Sequence, residues 1–402
     1  MDSAIKFEKT IFEKTNEWLN YIDNLPKPQD DIDRAHNHYK AEQFIVKYTK
    51  KHENLCNDLV SILFFPFSIL ATSISTLVSI FFCHSTKYDC IKICVTKPGS
   101  NSQKGIALPG DLKSKYKKTK NCFVHRRTLI CTGIISKYSL RLWLNALARH
   151  PFSFYENFNI FIHLNFINKI LIRYNPKAIV TLETENDFTT SLLSNLCEHN
   201  GVFYIGIMHG ENFVNPLHTN VRFSCFYVWD KHYIKQYMRT GTPAKIFRIY
   251  CPKRFKMNIN NKGNKEKAYL TYYLQGQNEM VLNNIKNVLE LISKSGKKCR
   301  IRLHPRATDK KLIERIFFDT AVEIEDYNVI SIEESYASTN YIVSTFSTVL
   351  TEAYENRLNA VIDDVTDRST YNILEKLMYI NIERIHLRLS EIIKNLGGIN
   401  NE

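Results

Sequence analysis

The sequence predicts an α/β protein: two Rossmann-like domains in succession, preceded by a helical extension. Three observations lead there. After residue 88, short apolar runs alternate with longer amphipathic ones, the pattern of strands and crossover helices in a mostly parallel sheet. A Lys- and Asn-rich stretch at 253–267 (KRFKMNINNKGNKEK) holds little that could build a core and divides the alternation in two. The 402 residues, 44% hydrophobic and 23% charged, provide for more than one core and exclude a disordered or collagen-like chain.

The expected organisation follows the chain. Residues 1–88 form the extension, 89–252 the first α/β unit, 253–267 the linker and 268–402 the second unit. Residues 1–58 read as amphipathic helix with a break at Leu25-Pro26-Lys27-Pro28. Residues 59–82 carry no charge and reach the ~20 residues that span a bilayer. Pro66 and six Ser or Thr between Ser68 and Ser79 interrupt that run. Lys50-Lys51 precede it and Lys87 follows, so flanking charge gives no orientation. It fits a pair of core helices, a hairpin entering one leaflet, or a span. In the first unit, strands are expected at 90–96, 128–132, 178–182, 203–208 and 225–229, with helices at 139–149, 157–174 and 189–200. In the second, strands are expected at 268–274, 299–303, 322–324, 341–343 and 360–362. Helices there fall at 279–295, 310–318, 349–356 and within 371–396. No internal repeat is present.

Lys and Arg number 54 against 40 acids, a net charge of +14. That balance favours an anionic partner: nucleic acid, an anionic membrane or a phosphorylated substrate. Nine cations and one acid, Asp111, lie within 97–127, and a second cluster runs through 239–267. Both also read as solvated loops. The first could meet anionic lipid. Nothing resembles a helix-turn-helix, an RNA-recognition strand or a zinc finger, so nucleic acid is not expected as a partner. The ten cysteines include no CxxC pair and sit mostly in strand-like runs, as buried reduced thiols do. MDSAIKFEKT at the start reads as no signal peptide, and a cytoplasmic location is expected, peripheral at the inner face of the membrane.

Two successive doubly wound units imply a cleft, and open α/β sheets bind ligands beyond the carboxyl ends of their strands. Four polar motifs fall at such ends. Arg302-Leu303-His304-Pro305-Arg306 places three potential cations at one strand tip, where Pro305 ends the strand. Such a group suits a phosphate and a departing nucleotide; the plainer reading is a capped strand end. Ser344-Thr345-Phe346-Ser347-Thr348 sets four hydroxyls between a strand and a helix, where free N–H groups and the helix dipole suit phosphate. Glu352, one turn on, is placed to accept from ribose hydroxyls. An ordinary N-cap would need one of those hydroxyls. Gly276 ends the preceding strand. Met208-His209-Gly210-Glu211-Asn212 follows another strand, and His209 and Glu211 are candidate general bases. Glu183-Thr184-Glu185-Asn186-Asp187 gathers three acids, a candidate base at Glu185 or simply a helix N-terminus. No metal is expected.

The order HGE, RLHPR, then STFST with TEA resembles bacterial GT-B glycosyltransferases of surface polysaccharides. By motif the sequence is most similar to bacterial sialyltransferases and polysialyltransferases, and also resembles capsule Kdo transferases and teichoic-acid glycerophosphotransferases. The resemblance covers roughly 178–362. It implies a nucleotide-sugar donor, CMP-linked sialic acid or Kdo, and a capsule or lipooligosaccharide glycan or glycolipid acceptor. It implies His304 on the donor phosphate, Ser344 and Thr345 on the phosphate or ribose, and a catalytic His209. The acid-acid-Gly triplet of the sialyltransferases is absent, which leaves Glu185 in doubt as the base. It further implies a reaction without metal or other cofactor. An epimerase or hydrolase of the UDP-GlcNAc 2-epimerase type and a CDP-glycerol transferase share the expected architecture.

Overall fold

The computed structural model describes residues 14–49, 53–82, 86–95, 107–124, 133–182, 187–208, 210–252, 255–257, 259, 267–305 and 307–397. The chain divides into two compact units. One comprises Asn16–Gly210 and Val214–Tyr250; the other comprises Cys251–Glu402, with Glu211–Phe213 and Met1–Thr15.

The first unit holds β1 (Cys90–Val95), β2 (Thr119–Val124), β3 (Ala178–Leu182), β4 (Phe203–Ile207), β5 (Phe223–Val228) and β6 (Ala244–Ile249). All pairings are parallel, in the order β2-β1-β3-β4-β5-β6. A parallel sheet is covered on both faces, so its inner strands read as unbroken apolar runs, and all six residues of β5 are buried. The edge strands break that rule. β6 (AKIFRI) is largely exposed, and neither it nor β2 (TKNCFV) was expected as a strand. The expected strand 128–132 lies outside the described residues.

The N-terminal helices are built into this unit. Helix 14–23 and helix Asp31–Thr49 flank the turn at 24–28, as expected from its prolines. The Arg222 guanidinium donates to both Asp31 oxygens at 2.8 Å and to Glu198 at 3.0 Å. Residues 59–82 lie within one continuous helix, Glu53–Phe82, with Pro66 inside it. They are therefore neither a pair of core helices nor a hairpin. Phe65 packs edge-on against Phe158 and Phe161 of the helix Phe154–Tyr174.

The second unit holds β7 (Ala268–Tyr273), β8 (Cys299–Arg302), β9 (Glu323–Glu325), β10 (Thr339–Ser344) and β11 (Ala360–Ile362). Their order is β11-β10-β7-β8-β9, again all parallel. The five expected strands are all present. Helix Glu279–Lys294 starts at Asn278, whose side chain accepts from the Val281 N–H at 3.0 Å. It turns Val281, Leu282, Ile285, Leu289 and Ile292 onto a core shared with Leu270, Tyr272, Ile301, Val343 and Val361. The helical C-terminus resolves into Arg368–Lys376, Ile380–Arg384 and Leu389–Gly397. Of the expected linker 253–267, the described part includes Phe255, which is buried and accepts from Asn356 through its carbonyl. The next described contact is Met257 N–H, which donates to Asn356 Oδ1 at 2.9 Å. Two all-parallel sheets in one chain are the two-unit α/β architecture the sequence predicts. Cys90, Cys94, Cys122, Cys197, Cys225, Cys251 and Cys299 are free thiols.

Candidate active site

The strand order of the second unit locates its binding edge. The chain leaves β7 for β8 and β9 on one side, then returns to lay β10 and β11 on the other. The reversal falls between β7 and β10, and at such a switch point the two following loops diverge and leave a crevice. The loop after β7 carries Gly276, the loop after β10 carries Thr345–Ser347, and the loop after β8 carries His304. All strands are parallel, so these loops share one edge. Since β8 and β10 both pair with β7, their tips are two strand spacings apart, about 10 Å. His304 and the Ser/Thr loop therefore share one sheet edge within this unit, with the tip of β7 between them.

His304 is oriented by its own loop. Its N–H donates to Thr308 Oγ1 at 2.7 Å, and its Nδ1 accepts the Ala307 N–H at 3.0 Å. A ring whose Nδ1 accepts a backbone N–H carries the neutral-state proton on Nε2, which is then a donor. Pro305 follows it, exposed on the turn. Gly276 has an ordinary φ, and an added Cβ would meet Ala307 at 3.7 Å, an ordinary contact. The site does not require a glycine there, but that approach brings the loops after β7 and β8 together.

Arg302 is placed differently from the cation triad expected of RLHPR. Its side chain is buried, Nη1 donates to Glu325 and Nη2 donates to the Ile330 carbonyl at 2.8 Å. The registers Arg300↔Glu323 and Arg302↔Glu325 set two arginines of β8 opposite two glutamates of β9. The pair is a cross-strand ladder. Arg306 lies outside the described residues.

The hydroxyls of STFST are mostly committed to the fold. Ser344 Oγ donates to the Tyr273 carbonyl at 3.0 Å. Thr345 Oγ1 lies 3.1 Å from Tyr272 OH. Ser347 is the N-cap of helix Thr348–Glu355, accepting from Val349 N–H at 3.2 Å. Thr348, the first helical residue, is exposed. What this loop can offer a phosphate is thus the N-terminal N–H groups and dipole of the helix, with Thr348, rather than a ring of four hydroxyls. The Glu352 carboxylate accepts from Tyr336 OH at 2.7 Å.

Asp363, which follows β11, went unremarked in the sequence and fixes this loop from below. It is fully buried and accepts from the Val365 and Thr366 N–H groups at 2.9 Å, from Tyr272 OH at 2.5 Å and from Thr366 Oγ1. Tyr272 belongs to β7 and Thr345 follows β10, so the carboxylate ties the strands on both sides of the crevice. Burial raises the Tyr272 hydroxyl well above its usual range, which keeps it a donor. An acid directly after a strand was the available signal.

Glu211 is the one predicted base that the structure places. Its carboxylate accepts from Thr351 Oγ1 on helix Thr348–Glu355, and Tyr379 OH lies 3.3 Å away. Asn381 Nδ2 donates to Tyr379 OH at 2.7 Å and to Thr351 Oγ1 at 3.0 Å, holding both partners. Tyr379 OH also accepts the Ser347 N–H at 3.4 Å, so the network reaches the helix start. Burial pushes the Glu211 carboxyl up to about 7, against the smaller opposing effects of Thr351 and Tyr379. Such a group both accepts and releases a proton near neutrality. Tyr379 and Asn381 carried no sequence signal, because the stretch reads as helix. The chain breaks there at Met378, whose φ of 56° is left-handed. His209 and Glu185 lie outside the described residues. Among the described residues no cluster of three or more His, Cys, Asp or Glu could hold a metal ion.

No family model matches the chain, and no curated protein is similar to it in sequence. Similar solved structures include UDP-N-acetylglucosamine 2-epimerase from Rickettsia bellii, at 14% identity over 69% of this chain and 79% of that one, TM-score 0.36. UDP-GlcNAc 2-epimerase from Neisseria meningitidis bound to UDP-GlcNAc gives 13% identity over 74% and 94%, TM-score 0.35. The wall teichoic acid polymerase TagF gives 9% identity over 86% and 88%, TM-score 0.39. These likenesses are of layout alone.

Proposed function

We propose that the chain is a glycosyltransferase that takes a sugar from a nucleotide-activated donor held at the carboxyl edge of the second sheet. One observation carries the reading. A helix N-terminus lies at the strand-order reversal, an imidazole donor sits two strand spacings away on the same edge, and Glu211, pushed up to about 7, is joined to that helix through Thr351 and Tyr379. The first two suit the phosphate of a leaving nucleotide, because their dipoles are fixed before charge develops. The third suits removal of a proton from an acceptor hydroxyl.

In this mechanism the donor phosphate lies against the Thr348–Glu355 N-terminus, and the His304 Nε2–H donates to a phosphate oxygen. Glu211 takes the acceptor proton as the hydroxyl attacks the anomeric carbon. The bond from that carbon to the phosphate oxygen breaks, and its electrons leave with the nucleotide. The donor is a CMP-linked sialic acid or Kdo and the acceptor a capsule or lipooligosaccharide glycan, as the motif order implies. The reaction proceeds without metal, the phosphate charge being met by N–H dipoles.

The test is transfer from a panel of CMP-, UDP- and GDP-sugars, with and without acceptor. Transfer from one nucleotide class that falls by about 10²-fold in His304→Ala supports the reading. Full activity of that variant with every accepted donor overturns it. Conversion of UDP-GlcNAc without acceptor would identify an epimerase instead.

A further inference from the structure

The helix Glu53–Phe82 has its polarity inside out. Ser61, Ser68 and Thr72 are buried, with Phe65 and Thr76 continuing their row, while Leu63 is 74% and Phe81 77% exposed. Leu63, Phe67, Leu70, Ile74, Leu77 and Phe81 form a row on the outside at spacings of four and three, flanked by exposed Val60, Phe64 and Val78. In a helix bathed in water the rows would be reversed. The inward hydroxyls cost little because the helix satisfies them itself: Ser61 Oγ donates to Asn57 O at 2.7 Å and Thr76 Oγ1 to Thr72 O at 2.8 Å. Small residues also permit close approach, since a Cβ on Gly133 would come within 3.2 Å of the Thr72 methyl.

The helix is held to its unit along most of its length. Asp58 accepts from Tyr155 N–H at 3.1 Å, and Phe65 meets Trp143, Phe158 and Phe161. Thr76 Oγ1 accepts from Ile135 N–H at 2.9 Å. From Asp58 to Thr76 the axis covers about 27 Å. A helix pinned over that distance cannot cross a bilayer without drawing its partner helix in. That partner, Phe154–Tyr174, buries Glu156, Asn157, Asn159, Asn165 and Asn168. At the far end the chain is bound to the end of the partner helix, Thr86 N–H donating to Arg173 O at 2.9 Å and Tyr88 N–H to Tyr174 O at 3.0 Å. Cations gather on those two rings: Lys118 lies 4.8 Å over Tyr88, and Lys120 4.6 Å over Tyr174. Aromatic rings with lysines at the end of an apolar helix suit the headgroup layer.

We propose that Glu53–Phe82 is a monotopic membrane anchor. It lies in the plane of one leaflet with its Leu63–Phe81 row in the acyl region, and the Tyr88/Tyr174 lysines meet anionic headgroups. A bilayer fits better than a second copy of the chain. Twelve large apolar residues are exposed between Leu59 and Phe81, across a wider arc than the two-position seam of a helix pair. The anchor is independent of the transferase reading, which is read out on nucleotides.

The test is flotation of the full chain, after detergent removal, with vesicles of equimolar phosphatidylcholine and phosphatidylglycerol. The wild type floats. The exposed-face variant Leu63→Glu/Phe67→Glu/Leu70→Glu lowers the floating fraction about ten-fold with an unchanged melting temperature. Lys118→Ala/Lys120→Ala reduces flotation and its salt sensitivity only on the anionic vesicles. A Trp at Phe67 is quenched more by lipid brominated near the headgroup than near the chain end. Flotation of the triple variant equal to wild type overturns the anchor. So does a wild type that stays unbound while the triple variant converts it from dimer to monomer. Deeper quenching overturns the in-plane orientation.

Discussion

Two carboxylates of the second unit illustrate how environment divides identical groups. Asp363 accepts from two N–H groups and three hydroxyls and serves as a structural clamp. Glu211 has fewer partners and is pushed to about 7 by burial. A raised carboxyl pKa means the folded state holds more protons than the unfolded one between about 4.5 and 7, so this group's contribution to stability declines as pH rises through that window. Glu211→Gln, which mimics the protonated form, is expected to be about 1–2 kcal/mol more stable than wild type at pH 8 and equal to it at pH 4. Chemical denaturation at the two pH values checks this. The same variant is expected to lose about 10²-fold or more of its transfer rate and the rise in rate with an apparent pKa near 7, as a pH–rate profile would show. Arg302 makes the opposite point. Arg302→Ala leaves the buried Glu325 with only Arg300, 3.9 Å away, and is expected to cost about 3 kcal/mol, while Arg302→Met with Glu325→Leu is expected to be near neutral. Urea denaturation of the single and double variants tells this ladder from a ligand-binding arginine, whose loss would leave the melting point unchanged.

At the scale of elements, what could be read in the sequence follows burial. β3 (AIVTL), β5 (FSCFYV) and β7 (AYLTYY) were legible because inner parallel strands are covered on both faces and read as nearly unbroken apolar runs. β6 was not, because an edge strand needs no such run. The strand-end rule leads to one edge of the second sheet and overcounts the side chains that edge can offer a ligand. It counted the hydroxyls of Ser344, Thr345 and Ser347 as ligands, yet buried polar groups at a strand tip must first satisfy one another. Arg302 was likewise read as a ligand because its partner lies 23 positions away, and only strand register brings the two together. The loop after β10 is thus a built cradle, with separable parts. Ser347→Ala removes only a cap and is expected to cost about 1 kcal/mol while nucleotide affinity holds. Asp363→Asn loosens the Tyr272–Thr345 tie and is expected to weaken nucleotide binding together with stability. Isothermal titration beside thermal melting separates the two outcomes.

For the whole molecule, the two proposals rest on separate features: the carboxyl edge of the second sheet and the outward apolar row of Glu53–Phe82. The apolar run was visible at once in the sequence, but its direction was not. Only the packed structure shows that its serines and threonines face inward. The donor site is the central claim, and thermal melting with CMP, CDP, UDP and GDP on the wild type and His304→Ala tests it most directly. One nucleotide should raise the wild-type melting temperature by an amount that grows with its concentration, and His304→Ala should abolish most of that rise. A wild type indifferent to all four nucleotides, or a variant that responds as fully as the wild type, would contradict the assignment.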